Sequence, residues 1–76
     1  MASWSSCKRR DFIRRLRRLG FSAPELGGRR LFMRYHSYTL TLPGNPEHSV
    51  PQLRMLLREV ERGTGIRTDG ERWSRL

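Results

Sequence analysis

The chain has one cysteine, few acidic residues and no long hydrophobic run, and each scarcity excludes a class of protein. Cys7 is the single cysteine in 76 residues, so neither an internal disulfide nor a cysteine-based zinc site can form, and a reducing compartment fits. No apolar run approaches the roughly 18 residues that a membrane span needs. Met1–Ser6 is not hydrophobic enough to predict a signal peptide. We therefore expect a cytoplasmic protein that is not bound to a membrane.

Lysine is almost absent too, so the positive charge of the chain comes almost entirely from arginine. Lys8 is the single lysine, so fifteen of the sixteen basic residues are arginine, against seven acidic residues and a net charge of +9. So large a surplus on a small protein predicts an anionic partner: nucleic acid, an acidic protein or a membrane surface. Arginine rather than lysine favours bidentate contacts with phosphate or carboxylate. Because no Walker loop, metal-ligand pair or paired-carboxylate motif is present, we expect no metal and no cofactor.

The length permits one domain with one small core, since 36% of the residues are hydrophobic. We assign residues 1–6 to an N-terminal tail, residues 7–63 to a single domain and residues 64–76 to a C-terminal tail. Asp69 predicts the N-cap of one more helical turn at Gly70–Arg75, with Trp73 docking back onto the domain.

The first helix is predicted over residues 7–19, because apolar residues recur there at the spacing of one helical face. Those residues are Phe12, Ile13, Leu16 and Leu19. Ser5 or Ser6 is the expected N-cap, and Gly20 stands where a helix ends in a left-handed residue. The other face is almost wholly basic. A solvated surface explains many charge runs, but with so little acid nearby we favour binding to a polyanion.

Three short segments downstream predict strands. Phe21–Leu26 contains Pro24, which limits it to an edge strand or an extended lead-in. After the Gly27-Gly28 turn, Arg29–Tyr35 and Tyr38–Leu42 alternate in polarity on either side of a hairpin at His36-Ser37. A second amphipathic helix then runs from the N-cap Ser49 to about Arg62 and is ended by Gly63.

This order predicts an α+β fold, α-β-β-β-α, in which two helices cover one face of a three-stranded antiparallel sheet. The open face then carries Phe32 between Arg30 and Arg34, with Thr39 and Thr41 beside them. An exposed aromatic ring between guanidinium groups can stack on a base while the arginines hold phosphates. The opposite orientation would expose Leu31, Met33 and Tyr35 together. We also expect the arginines of the first helix and of the hairpin to converge into one surface.

Several short motifs resemble the HicA (YcfA-like) toxin family, and their order and spacing together cover about residues 8–62. The motifs are Arg10-Asp11-Phe12-Ile13, Leu19-Gly20-Phe21, Gly27-Gly28-Arg29-Arg30-Leu31-Phe32-Met33, Thr39-Leu40-Thr41-Leu42-Pro43 and Ser49 to Arg58. The resemblance implies a double-stranded-RNA-binding-like fold and ribosome-independent cleavage of mRNA. It also implies neutralisation by a HicB-like acidic antitoxin protein.

The chain departs from the family's pattern at one position. The resemblance implies a catalytic histidine after the glycine-rich turn, where this chain has Arg30, or Arg29 in a less favoured alignment. A guanidinium has no acceptor and stays protonated, so Arg30 cannot act as a general base, although it can hold a phosphate. His48 is the preferred substitute base, with loop packing as its ordinary role, whereas His36 lies at the hairpin tip. Cys7 is expected to be a small packed side chain.

Three functions therefore stand as hypotheses. The first is a HicA-like toxin of a type II toxin-antitoxin system that binds and cleaves mRNA. The second is a catalytically inactive RNA-binding or antitoxin-binding module on the same fold. The third, a basic peptide-like effector, is disfavoured by the hairpin and the hydrophobic periods. Nine residues are assigned to RNA: Lys8, Arg9, Arg14, Arg15, Arg18, Arg29, Arg30, Phe32 and Arg34.

Overall fold

The computed structural model describes residues 4–76, so residues 1–3 of the expected N-terminal tail lie outside the described residues. Eight elements follow one another along the chain. They are β1 (Cys7–Lys8), α1 (Arg9–Leu19), β2 (Glu25–Gly27), β3 (Arg30–Tyr35), β4 (Tyr38–Thr41), β5 (Glu47–His48), α2 (Val50–Thr64) and α3 (Gly70–Ser74). No helix in this part of the chain is long and apolar enough to cross a membrane.

The central sheet is antiparallel, with the strand order β2-β3-β4, which confirms the α+β class and the three-stranded sheet. Glu25 pairs with Phe32 between β2 and β3, and Phe32 pairs with Thr41 between β3 and β4. The expected hairpin at His36-Ser37 joins β3 to β4, and His36 has a φ of 52°. The segment that contains Pro24 is extended, and β2 forms only after it, at the sheet edge.

A second, two-stranded sheet was not expected. In it, Cys7 pairs with His48 and Lys8 with Glu47. The prediction of a helix start at Cys7 with a serine N-cap is wrong, because Cys7 and Lys8 belong to β1 and α1 begins at Arg9. Lys8 takes the N-cap position without a side-chain hydrogen bond, and the Arg9 N–H instead donates to the Pro46 carbonyl at 2.8 Å. A loop carbonyl therefore replaces the missing cap.

The caps of α2 and α3 agree with the sequence prediction at their N-terminal ends. The Ser49 Oγ accepts from the Gln52 N–H at 3.4 Å, and the Asp69 Oδ1 accepts from the Arg72 N–H at 2.8 Å. The C-terminal end of α2 differs from the prediction, because the helix continues through Gly63 to Thr64. Gly65 takes the left-handed conformation there, with a φ of 79°, and its N–H donates to the Glu61 carbonyl.

The core lies between one face of the central sheet and the helices. Its fully buried side chains are Phe12, Leu16, Met33, Leu40, Leu42, Leu53, Leu56 and Val60, with His48 among them. Trp73 of α3 is 3% exposed, as the expectation of a docked tail requires. On β3, Met33 faces the core while Arg34 is exposed. The alternation of strand side chains therefore places Phe32 and Arg34 on the outer face, as expected.

Candidate nucleic-acid interface

One side of α1 carries four arginines that we call the arginine stripe: Arg10, Arg14, Arg17 and Arg18. They surround the half-buried Ile13 in a shallow surface groove. Their spacing of three or four residues keeps them on neighbouring turns of the helix. The helix positions them because Phe12 and Leu16 anchor its opposite side in the core and Gly20, at a φ of 117°, ends it.

Charge within α1 suits both the helix and an anionic ligand. Arg17 and Arg18 lie in the last turn, where cations interact favourably with the helix dipole. Asp11 lies in the first turn and approaches Arg14 at 3.5 Å, and both side chains are well exposed. An exposed ion pair of this kind is weak, so Arg14 can exchange the carboxylate for a phosphate at little cost.

Two of the arginines assigned to RNA from the sequence have structural roles. The guanidinium carbon of Arg15 lies 5.3 Å from the centre of the Trp73 ring, and its Nε is buried without a hydrogen-bond partner among residues 4–76. Arg9 is half-buried and donates through Nη1 to the Gly44 carbonyl at 3.4 Å. Arg10 and Arg17, which the sequence assignment omitted, take their place. Spacing by helical turns from Arg14 could have identified both.

The outer face of the sheet holds a second basic group. The guanidinium carbon of Arg34 lies 5.3 Å from the centre of the Phe32 ring, and its Nε lies 3.3 Å from a Glu25 carboxylate oxygen. The Phe32 ring covers Gly27, where an added Cβ would lie 2.6 Å from the ring. Phe32 is therefore half-buried against its own sheet. The neighbouring carboxylate of Glu25 also offsets the positive charge of Arg34, so this face is a weaker anion site than the arginine stripe.

The two basic surfaces do not converge, and the expectation that they form one surface is wrong. Ile13 of α1 lines a groove together with Leu31, which faces the helix side of the sheet. Phe32 is the next residue on β3 and points to the opposite face, because strand side chains alternate. The arginine stripe and the pair of Phe32 and Arg34 consequently lie on opposite sides of the sheet.

Arg30 lies in a groove between β4 and α2. The groove of about 710 Å³ is also lined by Thr41, Glu59 and Arg62. Arg30 is exposed and can reach an anion there, but its guanidinium supplies no acceptor for a proton. Arg29 is exposed in the preceding turn, and Lys8 is exposed at the start of α1. His48 is not part of this groove.

His48 is a core residue, and this placement argues against a role as a base toward bound RNA. Its side chain is 0% exposed, and its ring meets Phe12 edge-on with centroids 5.1 Å apart. Neither ring nitrogen has a hydrogen-bond partner among residues 4–76. Burial lowers the pKa of the imidazole, and the nearby positive charge of Arg9 lowers it further. His36 is exposed, with its ring edge-on to Tyr35.

The buried His48 predicts that acid destabilises the fold. Because its folded-state pKa is depressed, stability is fully present above the unfolded pKa of about 6.5 and falls as the pH drops below that value. One proton contributes up to about 1.4 kcal/mol per pH unit. Urea unfolding of the wild type and His48→Leu between pH 7.5 and pH 5 measures this effect. The stability of the wild type relative to His48→Leu should fall toward acid, because only the wild type carries the depressed pKa; a constant difference would contradict the assignment.

Cys7 shares the buried environment of His48. It is 6% exposed, and burial raises the pKa of its thiol, which disfavours the reactive thiolate. The expectation that Cys7 is a packed side chain is therefore confirmed. Across residues 4–76 exposed basic residues outnumber exposed acidic ones, and guanidinium groups bind anions. Comparisons with protein-family models, curated proteins and solved structures find no match for this chain.

Proposed function

We propose that the protein binds RNA through the arginine stripe of α1 and does so without cleaving it by histidine chemistry. The observation that carries this proposal is the placement of Arg10, Arg14, Arg17 and Arg18 around one groove. Within residues 4–76, only Arg14 of the four forms a salt bridge. The net charge of +9 adds a long-range attraction for a polyanion.

The length of the stripe suits a phosphate backbone. Arg10 and Arg18 are separated by eight residues, or about 12 Å along a helix, which is enough to contact several successive phosphates. Contacts to phosphates position a protein on a nucleic acid but do not distinguish its sequence. The proposed binding is therefore largely independent of sequence and strongly weakened by salt.

A HicA-like scaffold is part of the proposal. The order of α1, a three-stranded antiparallel sheet and α2 is compatible with the double-stranded-RNA-binding-like arrangement that the motifs of residues 8–62 imply. The paired β1 and β5 and the short α3 are additions to that arrangement. On such a scaffold a HicB-like acidic antitoxin would be a second partner, attracted by the same arginines.

Three candidate groups support binding without cleavage. Cleavage at a ribose 2′-OH needs an accessible proton acceptor. Arg30 has none, His48 is sealed in the core, and His36 lies at the far end of β3 from Arg30. Loss of a general base typically lowers the rate by about 10² to 10⁴. The catalytically inactive module therefore fits the geometry better than the active toxin.

RNA binding can be measured by fluorescence anisotropy with a labelled duplex RNA over a range of salt concentrations. Arg14→Gln/Arg17→Gln should weaken binding at least about tenfold at low salt and reduce the slope of log K against log salt by about 0.7 to 0.9 per lost contact. Arg62→Gln/Arg75→Gln is the matched control, because it removes the same charge outside the stripe. An equal loss of RNA affinity in the two variants would show that RNA is held by the overall charge and not by the arginine stripe.

Cleavage is tested on the same bound RNA by gel electrophoresis. The wild type should leave the RNA intact. Cutting by the wild type would refute the inactive module and restore the active toxin, while leaving the binding site in place. The proposed site would be overturned if Phe32→Ala abolished binding while the stripe variant bound normally. RNA would then bind the outer face of the sheet.

A further inference from the structure

A separate pocket lies between α2 and the segment that leads into α3. It has a volume of about 270 Å³, and the lining that matters comprises Trp4, Arg54, Arg58, Arg67, Thr68 and Asp69. Arg54 and Arg58 are one helical turn apart and face the tail, whereas Arg62 and Glu59 face the groove beside β4. The pocket and that groove are therefore distinct.

Positive charge predominates in the pocket. None of Arg54, Arg58 and Arg67 forms a salt bridge within residues 4–76. Two carboxylates, Glu61 and Asp69, also line the pocket. Asp69 already accepts the Arg72 N–H at 2.8 Å as the N-cap of α3, so its charge is partly committed. Three arginines and two carboxylates thus line the pocket, a surplus of one positive charge.

The pocket also contains a polar group that lacks a partner. Thr68 is only 9% exposed, and its hydroxyl has no hydrogen-bond partner among residues 4–76. Buried polar groups in folded proteins are nearly always hydrogen-bonded, and each exception requires an explanation. That hydroxyl is itself closed off from solvent, so a ligand oxygen in the pocket would supply the missing partner only after the Thr68 side chain turns toward it.

Trp4 forms a wall of the pocket and holds one arginine in place. Its ring covers Gly70, where an added Cβ would lie 3.2 Å from the ring, and the guanidinium carbon of Arg54 lies 5.9 Å from the ring centre. The absence of a side chain at Gly70 therefore allows the indole to sit close to the backbone. A guanidinium stacked on an aromatic ring loses less freedom when it binds an anion than a free one does.

We propose that this pocket binds a phosphate monoester. A monoester carries close to two negative charges at neutral pH, which suits three guanidinium forks better than a singly charged diester. The small volume favours a compact terminal group over a continuous strand. Such a group can come from a free mononucleotide or from the 5′-phosphate of an RNA. The pocket is separate from the arginine stripe, so this inference does not rest on the proposed function.

The experiment titrates the 76-residue chain with adenosine 5′-monophosphate, inorganic phosphate or adenosine, and measures binding by calorimetry and tryptophan fluorescence. Adenosine 5′-monophosphate and inorganic phosphate should bind, whereas adenosine, which has no phosphate group, should not. Arg58→Gln/Arg67→Gln should weaken the binding of the monophosphate at least about tenfold. Arg62→Gln/Arg75→Gln, with the same net charge, should bind as the wild type does. Binding of adenosine equal to that of its monophosphate, or an equal loss in the control, would overturn the proposal.

A conservative change at Thr68 provides a further readout. Thr68→Val removes the hydroxyl but keeps the shape, so it should weaken phosphate binding while leaving the free protein folded. Unchanged phosphate affinity in a folded Thr68→Val protein would contradict the role given to the hydroxyl and overturn the proposed geometry.

The two sources of the monoester are separated with 5′-phosphorylated and 5′-hydroxyl RNAs of one sequence. A gain in affinity from the 5′-phosphate that disappears in Arg58→Gln/Arg67→Gln identifies the RNA end as the source. Equal affinity for both RNAs, with the mononucleotide still bound, identifies the free ligand. If the stripe variant bound RNA as the wild type does, only the proposed function would be refuted. If the mononucleotide did not bind, only the proposal for this pocket would be refuted.

Discussion

Phe12→Ala is expected to lower the free energy of unfolding by about 3 to 5 kcal/mol, the largest loss for any single substitution proposed for this protein. The Phe12 side chain is 0% exposed. Its ring centre lies 5.1 Å from that of His48 and 5.3 Å from that of Trp73. The substitution therefore leaves a cavity between β5, α1 and α3.

The size of the protein makes this loss severe. A domain of 76 residues typically has a stability of about 4 to 11 kcal/mol, so the substitution should remove between about a quarter and all of it. Urea unfolding followed by circular dichroism measures the effect. Phe12→Leu should cost much less, because it retains most of the buried volume, and Ile13→Ala should cost less because Ile13 is half-exposed. A loss under about 1 kcal/mol for Phe12→Ala would contradict the packing described.

Gly63→Ala is expected to destabilise the protein by about 1 to 3 kcal/mol, although helix propensity alone predicts the opposite. Alanine inside a helix is about 1 kcal/mol more favourable than glycine. Here, however, an added Cβ would come within 3.0 Å of three ring atoms of Tyr38, including Cγ at the base of the ring. The whole ring must therefore shift, and its edge-on contact with Phe21 shifts with it.

A double-mutant cycle separates the contact from the propensity. In a Tyr38→Ala background both the ring and the Cγ are absent, so Gly63→Ala should become neutral or stabilising. Thermal unfolding of the four proteins gives the coupling free energy. Additive effects would show that the ring of Tyr38 does not limit position 63.

Local sequence patterns predicted the features that depend on neighbouring residues. The alternation along β3 and β4 identified the hairpin and the outward orientation of Phe32, and Ser49 and Asp69 were both recognised as N-caps. These features need only a few residues with the correct spacing. The end of α2 was missed because Gly63 and Gly65 are equally suitable by composition. The choice depends on the contact with Tyr38, which comes from another element.

In the candidate site too, the sequence predicted local features but not those that depend on contacts with other elements. The helical period of α1 predicted a basic face, but it did not show that Trp73 would cover Arg15 and leave Arg10 and Arg17 open. The two-residue strands β1 and β5 are too short for any period, so the burial of His48 beside Cys7 could not be foreseen. The separation of the two basic surfaces likewise depends on which face of the sheet the helix covers. The number and sequence positions of the charged residues do not show which face that is.

The pairing of β1 with β5 has a consequence for the order of folding. It brings the start of α1 next to the start of α2, although the whole central sheet lies between them in the sequence. Contacts between segments distant in sequence form slowly, since the intervening loop must first close at an entropic cost. The turns of α1 can form early, but the start of the helix gains its fixed position only when this late contact is made. Nascent chains would consequently display their arginines before the start of the helix that carries them is anchored.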